Sequence, residues 1–368
     1  MGAQRLVPGE ARFPKNAWYV AAFAEEVTTR PMHRLLVDAD VVLYRTADGT
    51  PVALMDRCPH RGYPLSEGGV TVGDNIQCQY HGLQFGPDGH CRVVPSGDRR
   101  PERIRVRSYP LVERYELLWI WVGDPEACDP DLIPDYGVYG YGAEGMHYKT
   151  GIKLEIEANY LLQIDNLLDA THITYLHEGQ IDTGDVAGEP LELFERDGRV
   201  FVRRTMRNEE QAPLTMKSFG FAGGRAHRTV TTEAWPPSLC GVLIEFEEAE
   251  VDNPKKQTIQ LIAAITPQDR THTLVFTTGV KSFPPVNPNE NADSRALLGE
   301  DAAALEAIQR RHDKLGPDEW VEFGLPADQA QYRARQIIQR MLQIEDGEIT
   351  AAEAAGDKTL QATVDLTN

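Results

Sequence analysis

The sequence predicts a protein of α+β class in which a small all-β domain precedes a larger domain of strands and helices. Three observations carry this. Residues 18–122 read as short strands cut by Gly, Pro and Asp turns, and residues 190–285 return to β-type patterning. Two long helical stretches, "LLGEDAAALEAIQRRHDKL" and "ADQAQYRARQIIQRMLQIE", close the ordered part of the chain. Strands followed by separate helices imply this architecture, and 368 residues are ample for two cores.

The elements follow in order. After an N-terminal segment, 1–17, "HRLLVDADVVLYRTADGTPVALM" reads as strands joined by a Thr-Ala-Asp-Gly-Thr turn, and "LQFGPDGHCRVV" as strand, Pro-Asp-Gly turn and strand. "ELLWIWVGDP" closes the β domain at about residue 122 on a buried apolar strand. Residues 123–150, rich in Pro, Gly and Asp, read as a linker. The second domain, 151–345, opens on the helical "ANYLLQIDNLLDATHITYLHEG". Residues 346–368 form an acidic, weakly patterned tail, expected to be mobile. No internal repeat is visible.

Hydrophobic content of 41% and charged content of 25% are those of a soluble globular chain. No run reaches the ~18–20 apolar residues of a membrane span, and "MGAQRLVPGEARFPKNAWYV" lacks an apolar signal region. Five cysteines make no disulfide scaffold, so the expected compartment is the cytoplasm. A net charge of −19 excludes nucleic acid as the natural partner, since a phosphate backbone demands clustered cations. Against that background "RRPERIRVR" places five arginines between Arg99 and Arg107. The simplest account is the solvated face of a strand, with Ile104 and Val106 turned inward; a dock for an acidic partner is the alternative.

The stretch "CPHRGYPLSEGGVTVGDNIQCQYHG" holds Cys58 with His60 and, seventeen residues later, Cys78 with His81. Two thiolates and two imidazoles in two short loops call for a metal. Zinc accepts such a set, but its common spacing pairs Cys with Cys and His with His. Here each loop supplies one of each, which suits a two-iron cluster: Cys58 and Cys78 on one iron, His60 and His81 on the other. This is Rieske [2Fe–2S] ligation, and Gly62 and Gly82 let the backbone crowd the sulfides. Cys91 is not needed as a ligand and reads as a small buried side chain.

With these residues in view, "CPHRG…CQYHG" resembles the cluster motif of Rieske proteins. Respiratory-complex members carry a disulfide across the cluster where this chain has Tyr63 and Tyr80. They also carry hydroxyl donors where it has Leu83 and Phe85. Fewer donors to the sulfurs imply a lower potential, as in oxygenase-type clusters.

"DNLLDATHITYLHEG" adds Asp169, His172 and His177. On one helix Asp169 and His172 share a face, whereas His177 lies about 140° round from His172. Both histidines reach one metal only if the helix widens or ends between them, and Gly179 suits an end. Two histidines and a carboxylate facing one iron form the facial triad of non-heme Fe(II) oxygenases.

"NLLDATHITYLH" is similar to the mononuclear iron motif of Rieske non-heme iron oxygenase α subunits, N-L-x-D-x-x-H-x4-H. The resemblance implies His172 and His177 as iron ligands and Asp169 as a bridging carboxylate between the two centres. It places Asn166 near the iron. The third ligand comes from an E-D-x4-E context, matched by "GEDAAALEAIQ", which implies Asp301, with adjacent Glu300 as its rival. "FPKNAWYVAAF", "IPDYG" and "LEAIQRR" resemble the vanillate and dicamba O-demethylase branch.

That branch implies a catalytic domain with an antiparallel sheet covered by helices and a homotrimer without a second subunit type. Electrons from NAD(P)H arrive through a flavin reductase, a ferredoxin or both, for which the arginine patch is a candidate dock. The implied reaction is O-demethylation of an aromatic methoxy compound, an aromatic acid first, to a phenol and formaldehyde. Ring hydroxylation or N-dealkylation of another aromatic substrate is the alternative, and a cluster-bearing electron carrier the remote one. Substrate contacts are expected from residues 210–285, with Lys217, Arg225, His227 and Arg228 as cations and Trp235 and Phe246 as apolar wall.

Overall fold

The structure, a computed structural model, describes residues 12–97, 103–169, 171–177, 189–210, 219–284, 290–315, 322–354 and 361–364. It divides into two compact units. One spans Lys15–Ile133 with Thr266–Asp269, and the other takes Pro134–Ile265, Arg270 onward and the described residues before Lys15. The stretch expected as a linker, 123–150, is shared between them. Asp124, Asp129 and Asp135 each cap a single 3-10 turn in it, accepting from the backbone two residues on.

In the first unit β1 (Trp18–Phe23) pairs with β10 (Leu117–Trp121), which pairs with β9 (Leu111–Arg114). A second sheet joins β2 (Met32–Leu36), β3 (Ala39–Arg45) and β4 (Pro51–Met55). A third joins β5 (Val70–Val72), β6 (Asn75–Gln77), β7 (Gln84–Phe85) and β8 (Cys91–Val93). The predicted turns fall where Gly and Asp allow. At Gly89, φ is +78° and a Cβ would lie 2.1 Å from the Val106 carbonyl oxygen, so only glycine fits. Cys91 is buried beside Phe85 and Val106, and its thiol donates to the Val93 carbonyl at 3.4 Å. In the arginine stretch Arg103, Arg105 and Arg107 are exposed while Ile104 and Val106 pack inward. Arg107 is further tied to the Val122 and Gly123 carbonyls, both at 2.6 Å. Arg99 and Arg100 lie outside the described residues.

The second unit is built on an eight-stranded sheet in the order β11-β17-β16-β15-β14-β13-β12-β18. Its strands are β11 (His147–Ile156), β12 (Leu191–Arg196), β13 (Arg199–Glu210), β14 (Arg225–Trp235), β15 (Leu239–Glu248), β16 (Lys256–Pro267), β17 (Thr273–Lys281) and β18 (Gln361–Val364). The tail beyond Glu345, expected to be mobile, therefore contributes a strand: alternating Ala362 and Val364 pair with Leu193 and Leu191 on an otherwise open edge.

Helix α1 (Tyr160–Leu168) starts where Asn159 accepts from the Leu161 N–H, and it buries seven of its nine residues. The expected continuous helix does not form. Asp169 is extended (φ −94°, ψ 114°), and a separate single turn, α2 (Ile173–Leu176), follows with His172 before it and His177 after it. Asp169 and His172 thus share no helical face, and the break precedes both histidines. The competing interaction is local: the Asp169 carboxylate accepts from the Thr171 N–H at 2.7 Å and its hydroxyl at 2.8 Å, a turn that Asp favours over helix.

Helix α3 (Glu290–His312) buries Leu298, Asp301, Leu305 and Gln309. Their spacing of three or four residues makes one inward stripe. Gln309 accepts from the Asn159 N–H at 3.0 Å and so fixes α3 against the start of α1. Helix α4 (Gln329–Glu345) holds α1 through Arg335, which donates to Asp165 and Glu322. Among the described residues no helix is long and apolar enough to cross a membrane.

Candidate metal centres

The two Cys–His loops fold as copies of one motif. The Cys58 N–H donates to the Tyr63 carbonyl and the Gly62 N–H to the Cys58 carbonyl, both at 2.8 Å. The Cys78 N–H donates to Leu83 at 2.8 Å and the Gly82 N–H to Cys78 at 2.9 Å. Gly62 and Gly82 each take φ +75°, which a side chain would disfavour. Both cysteines are buried, whereas both histidines are exposed, with ring centroids 4.6 Å apart. Burial pushes the Cys58 thiol up to about 11, against hydrogen bonding from the His60 backbone N–H. A thiolate at such a site needs a neighbouring cation. Thiolates inside and imidazoles outside fit a cluster with one iron on each side. Leu83 and Phe85 are buried and offer no hydroxyl.

In the second unit a ligand atom from each of His172, His177 and Asp301 lies within 4.8 Å of the others. Asp301 Oδ1 stands 3.3 Å from His172 Nε2 and 3.2 Å from His177 Nε2, and it accepts from Asn166 Nδ2 at 3.1 Å. His177 Nδ1 lies 2.8 Å from Glu300 Oε2. A carboxylate can only accept, so Nδ1 donates to Glu300 and Nε2 is the nitrogen that faces Asp301. Two imidazole nitrogens gathered round one buried carboxylate are a donor set that fits a divalent metal. Burial opposes a charge on His172, but the hydrogen bond to Asp301 and the charges of Asp301 and Asp169 raise its pKa. His172 Nδ1 is buried without a hydrogen-bond partner among the described residues, and Asp169 Oδ2 lies 3.9 Å away.

The geometry separates the two acids that adjoin on α3. Asp301 meets both imidazoles, whereas Glu300 holds the far side of His177. Asn166 touches Asp301 through its amide nitrogen. Glu300 entered the sequence reading only as a rival ligand; its signal was adjacency to Asp301, and its real contact depends on where α2 ends.

Two cavities lie in this unit. One of about 530 Å³ is lined by Asn166, Asp169 and His172 together with Glu322, Phe323 and Arg335. The other, about 240 Å³, lies between the sheet and α3 and is walled by Ile152, Ile259, Leu261, Leu297 and Leu298. The cations expected to meet substrate are engaged elsewhere. Arg228 is buried on Glu209 at 3.0 Å, Arg225 donates to Asn208, and His227 Nδ1 accepts from the Asn208 N–H. Lys217 lies outside the described residues. Phe246 packs with Phe219, Phe221 and Phe283, and Trp235 lies under the Arg199 guanidinium.

A paired Cys–His cluster site and a two-histidine, one-carboxylate site on one chain define the class of Rieske non-heme iron oxygenases. Comparison with known proteins agrees. Residues 17–110 match the Rieske [2Fe-2S] domain family, and residues 156–343 match the vanillate O-demethylase oxygenase C-terminal domain family. The chain is 32% identical to the oxygenase component of dicamba O-demethylase from Stenotrophomonas maltophilia, over 90% of this chain and 99% of that one. It is 33% identical to the vanillate O-demethylase oxygenase subunit of a Pseudomonas species (strain HR199), over 93% and 98%. The crystal structure of dicamba monooxygenase bound to 3,6-dichlorosalicylic acid superposes with a TM-score of 0.82 at 31% identity, covering 91% and 99%. Another structure of that enzyme contains non-heme iron and dicamba, with a TM-score of 0.77, 30% identity and 92% and 100% coverage. The chain belongs to the vanillate and dicamba O-demethylase family of Rieske oxygenase components, and is an oxidoreductase with a [2Fe–2S] cluster and a mononuclear iron.

Proposed function

We propose that this protein is the oxygenase of a monooxygenase system that O-demethylates an aromatic methoxy compound, an aromatic acid in the first place. The convergence of His172, His177 and Asp301 in a chain of this family carries the reading. Cys58, Cys78, His60 and His81 hold the cluster, and His172, His177 and Asp301 hold the mononuclear iron. Bound there and reduced through the cluster, the iron supplies the site at which O2 is reduced for insertion into a methyl C–H bond. The balance is one aryl methyl ether, one O2, two electrons and two protons, giving an aryl hemiacetal and water. The hemiacetal C–O bond then breaks to leave formaldehyde and a phenol.

The chain's own groups orient and exclude. Glu300 fixes the His177 tautomer, and Asn166 fixes the Asp301 carboxylate. Ile173, between the two histidines, packs on Met206 and Val230 and keeps water from that side. Asp169, beside His172 Nδ1, is placed to take a hydrogen bond from it and to link the mononuclear site with a cluster histidine. The homotrimer expected for the branch supplies that cluster from the neighbouring chain. Exposed Tyr175, Phe323 and Leu325, in the unit that holds the mononuclear site, are suited to such a contact. Electrons come from NAD(P)H through a reductase, with or without a ferredoxin, in the cytoplasm.

The test is coupled turnover of the purified protein with a surrogate ferredoxin, a reductase and NADH on methoxylated benzoates and phenols. One formaldehyde and one phenol per O2 is the expected result. A hydroxylated product without formaldehyde would replace demethylation with ring hydroxylation.

A further inference from the structure

We infer that Lys281 and Lys149 form the seat for the anionic group of an aromatic substrate, a carboxylate or a sulfonate, at one end of the 240 Å³ cavity. This deepens the reading above and rests on it only for the identity of the reaction.

The seat follows from strand register. In the β11–β17 pair His147 faces Lys281, Lys149 faces Gly279 and Ile152 faces Thr277. Alternate residues share a sheet face, so Lys149, Lys281 and the bare position Gly279 point to one side, and all three line the cavity. The two lysines are diagonal neighbours, which sets them on the order of 7–8 Å apart. Lys281 is half-buried, and burial, then the charge of Lys149, lowers its pKa. Its Nζ also stands 5.7 Å from the Phe283 ring centroid, beside the aromatic cluster that Ile259 adjoins. An anion seated over Gly279 would lie within reach of both ammonium groups, and glycine puts no side chain in that space.

The rest of the cavity points from this seat to the iron site. Ser294, Leu297 and Leu298 line it from α3, and Asp301 is the next inward residue on the same helix face. Across the sheet, Ile259 pairs with Ile244, which packs on Met206 and Val230, the same two residues that Ile173, next to His172, packs on. An aromatic ring gripped by its anion at the lysines therefore lies on apolar walls with its far side toward His172, His177 and Asp301. The cavity is below the ~300–1,000 Å³ of most ligand pockets, which suits one ring.

The experiment is calorimetric binding to the anaerobic holoenzyme of 3- and 4-methoxybenzoate, the matching methoxybenzenesulfonates and the matching methoxybenzamides. At least one anion should bind about 10- to 100-fold tighter than its amide, the range of a charge-assisted hydrogen bond. Comparing carboxylate with sulfonate decides which anion the seat takes. In Lys281→Met that preference should collapse, and in Lys149→Met it should shrink, while the amide keeps its affinity. Anions no tighter than amides in the unmodified protein, a preference surviving the double substitution, or no binding across the panel would each overturn the seat. Formaldehyde from the amides without anion preference would sink the seat and leave demethylation standing. Anion binding without formaldehyde would do the reverse.

Discussion

Asp169 and Glu300 illustrate how two carboxylates near one iron site serve different ends. Glu300 meets His177 Nδ1 at 2.8 Å, and removing its charge should loosen the metal without touching the cluster. Glu300→Gln is expected to weaken iron binding about 10- to 100-fold, the usual cost of losing a partner behind a ligating histidine. Titrating iron into metal-free mononuclear sites measures this, with the cluster's visible spectrum unchanged. Asp169 holds no ligand position, so Asp169→Asn should keep the full iron content. Its turnover should still fall by about 100-fold, the upper end for groups that support a ligand. Normal turnover in that variant would remove Asp169 from the path between the centres.

Among elements, the β7–β8 turn is the place where the cluster-bearing unit depends most visibly on one residue. Gly89→Ala would put a methyl group 2.1 Å from the Val106 oxygen at φ +78°. The cost is about 2 kcal/mol or more, combining the left-handed penalty with a backbone shift. Urea denaturation followed by cluster absorbance should show the lower midpoint, with turnover per intact cluster unchanged. Helix α3 shows the opposite relation: its inward stripe of Leu298, Asp301 and Leu305 trades one core position for a ligand. A buried carboxylate is costly without a partner, and Asp301 has the Asn166 amide and the two imidazoles around it.

At the scale of the whole molecule the two metal sites differ in how they hold their metal. The proposed cluster ligands sit on two glycine-relaxed loops with buried cysteines, whereas the proposed mononuclear ligands are two imidazoles and one carboxylate beside a 530 Å³ cavity. The expected content is three irons per chain. A chelator should remove one of them first, abolishing turnover while the visible spectrum persists. Loss of colour in step with activity would mean that the two sites are not independent. Against the net charge of −19, the exposed Arg103 and Arg105 are a local exception.

What was legible in the sequence was whatever depends on residues close together along the chain. Cys58, His60, Cys78 and His81 stood out as proposed ligands because each loop carries its Cys, His and glycine within five residues. His172 and His177 were readable for the same reason, and Asp301 through its own local pattern. Tertiary structure alone decided the rest. Asp169 leaves the helix because Thr171 competes for its carboxylate, an outcome that periodicity does not foresee. Glu300 was only the rival of Asp301 in the sequence, and its contact with the far side of His177 is set by how α3 docks. The cations near the substrate cavity were sought in 210–285, yet Arg225, His227 and Arg228 are committed to Asn208 and Glu209. Lys149 meets Lys281 only because β11 pairs with β17, more than a hundred residues away. Ligand identity is a property of local chemistry, whereas pocket identity is a property of strand register, and register is set by the packing of the whole sheet.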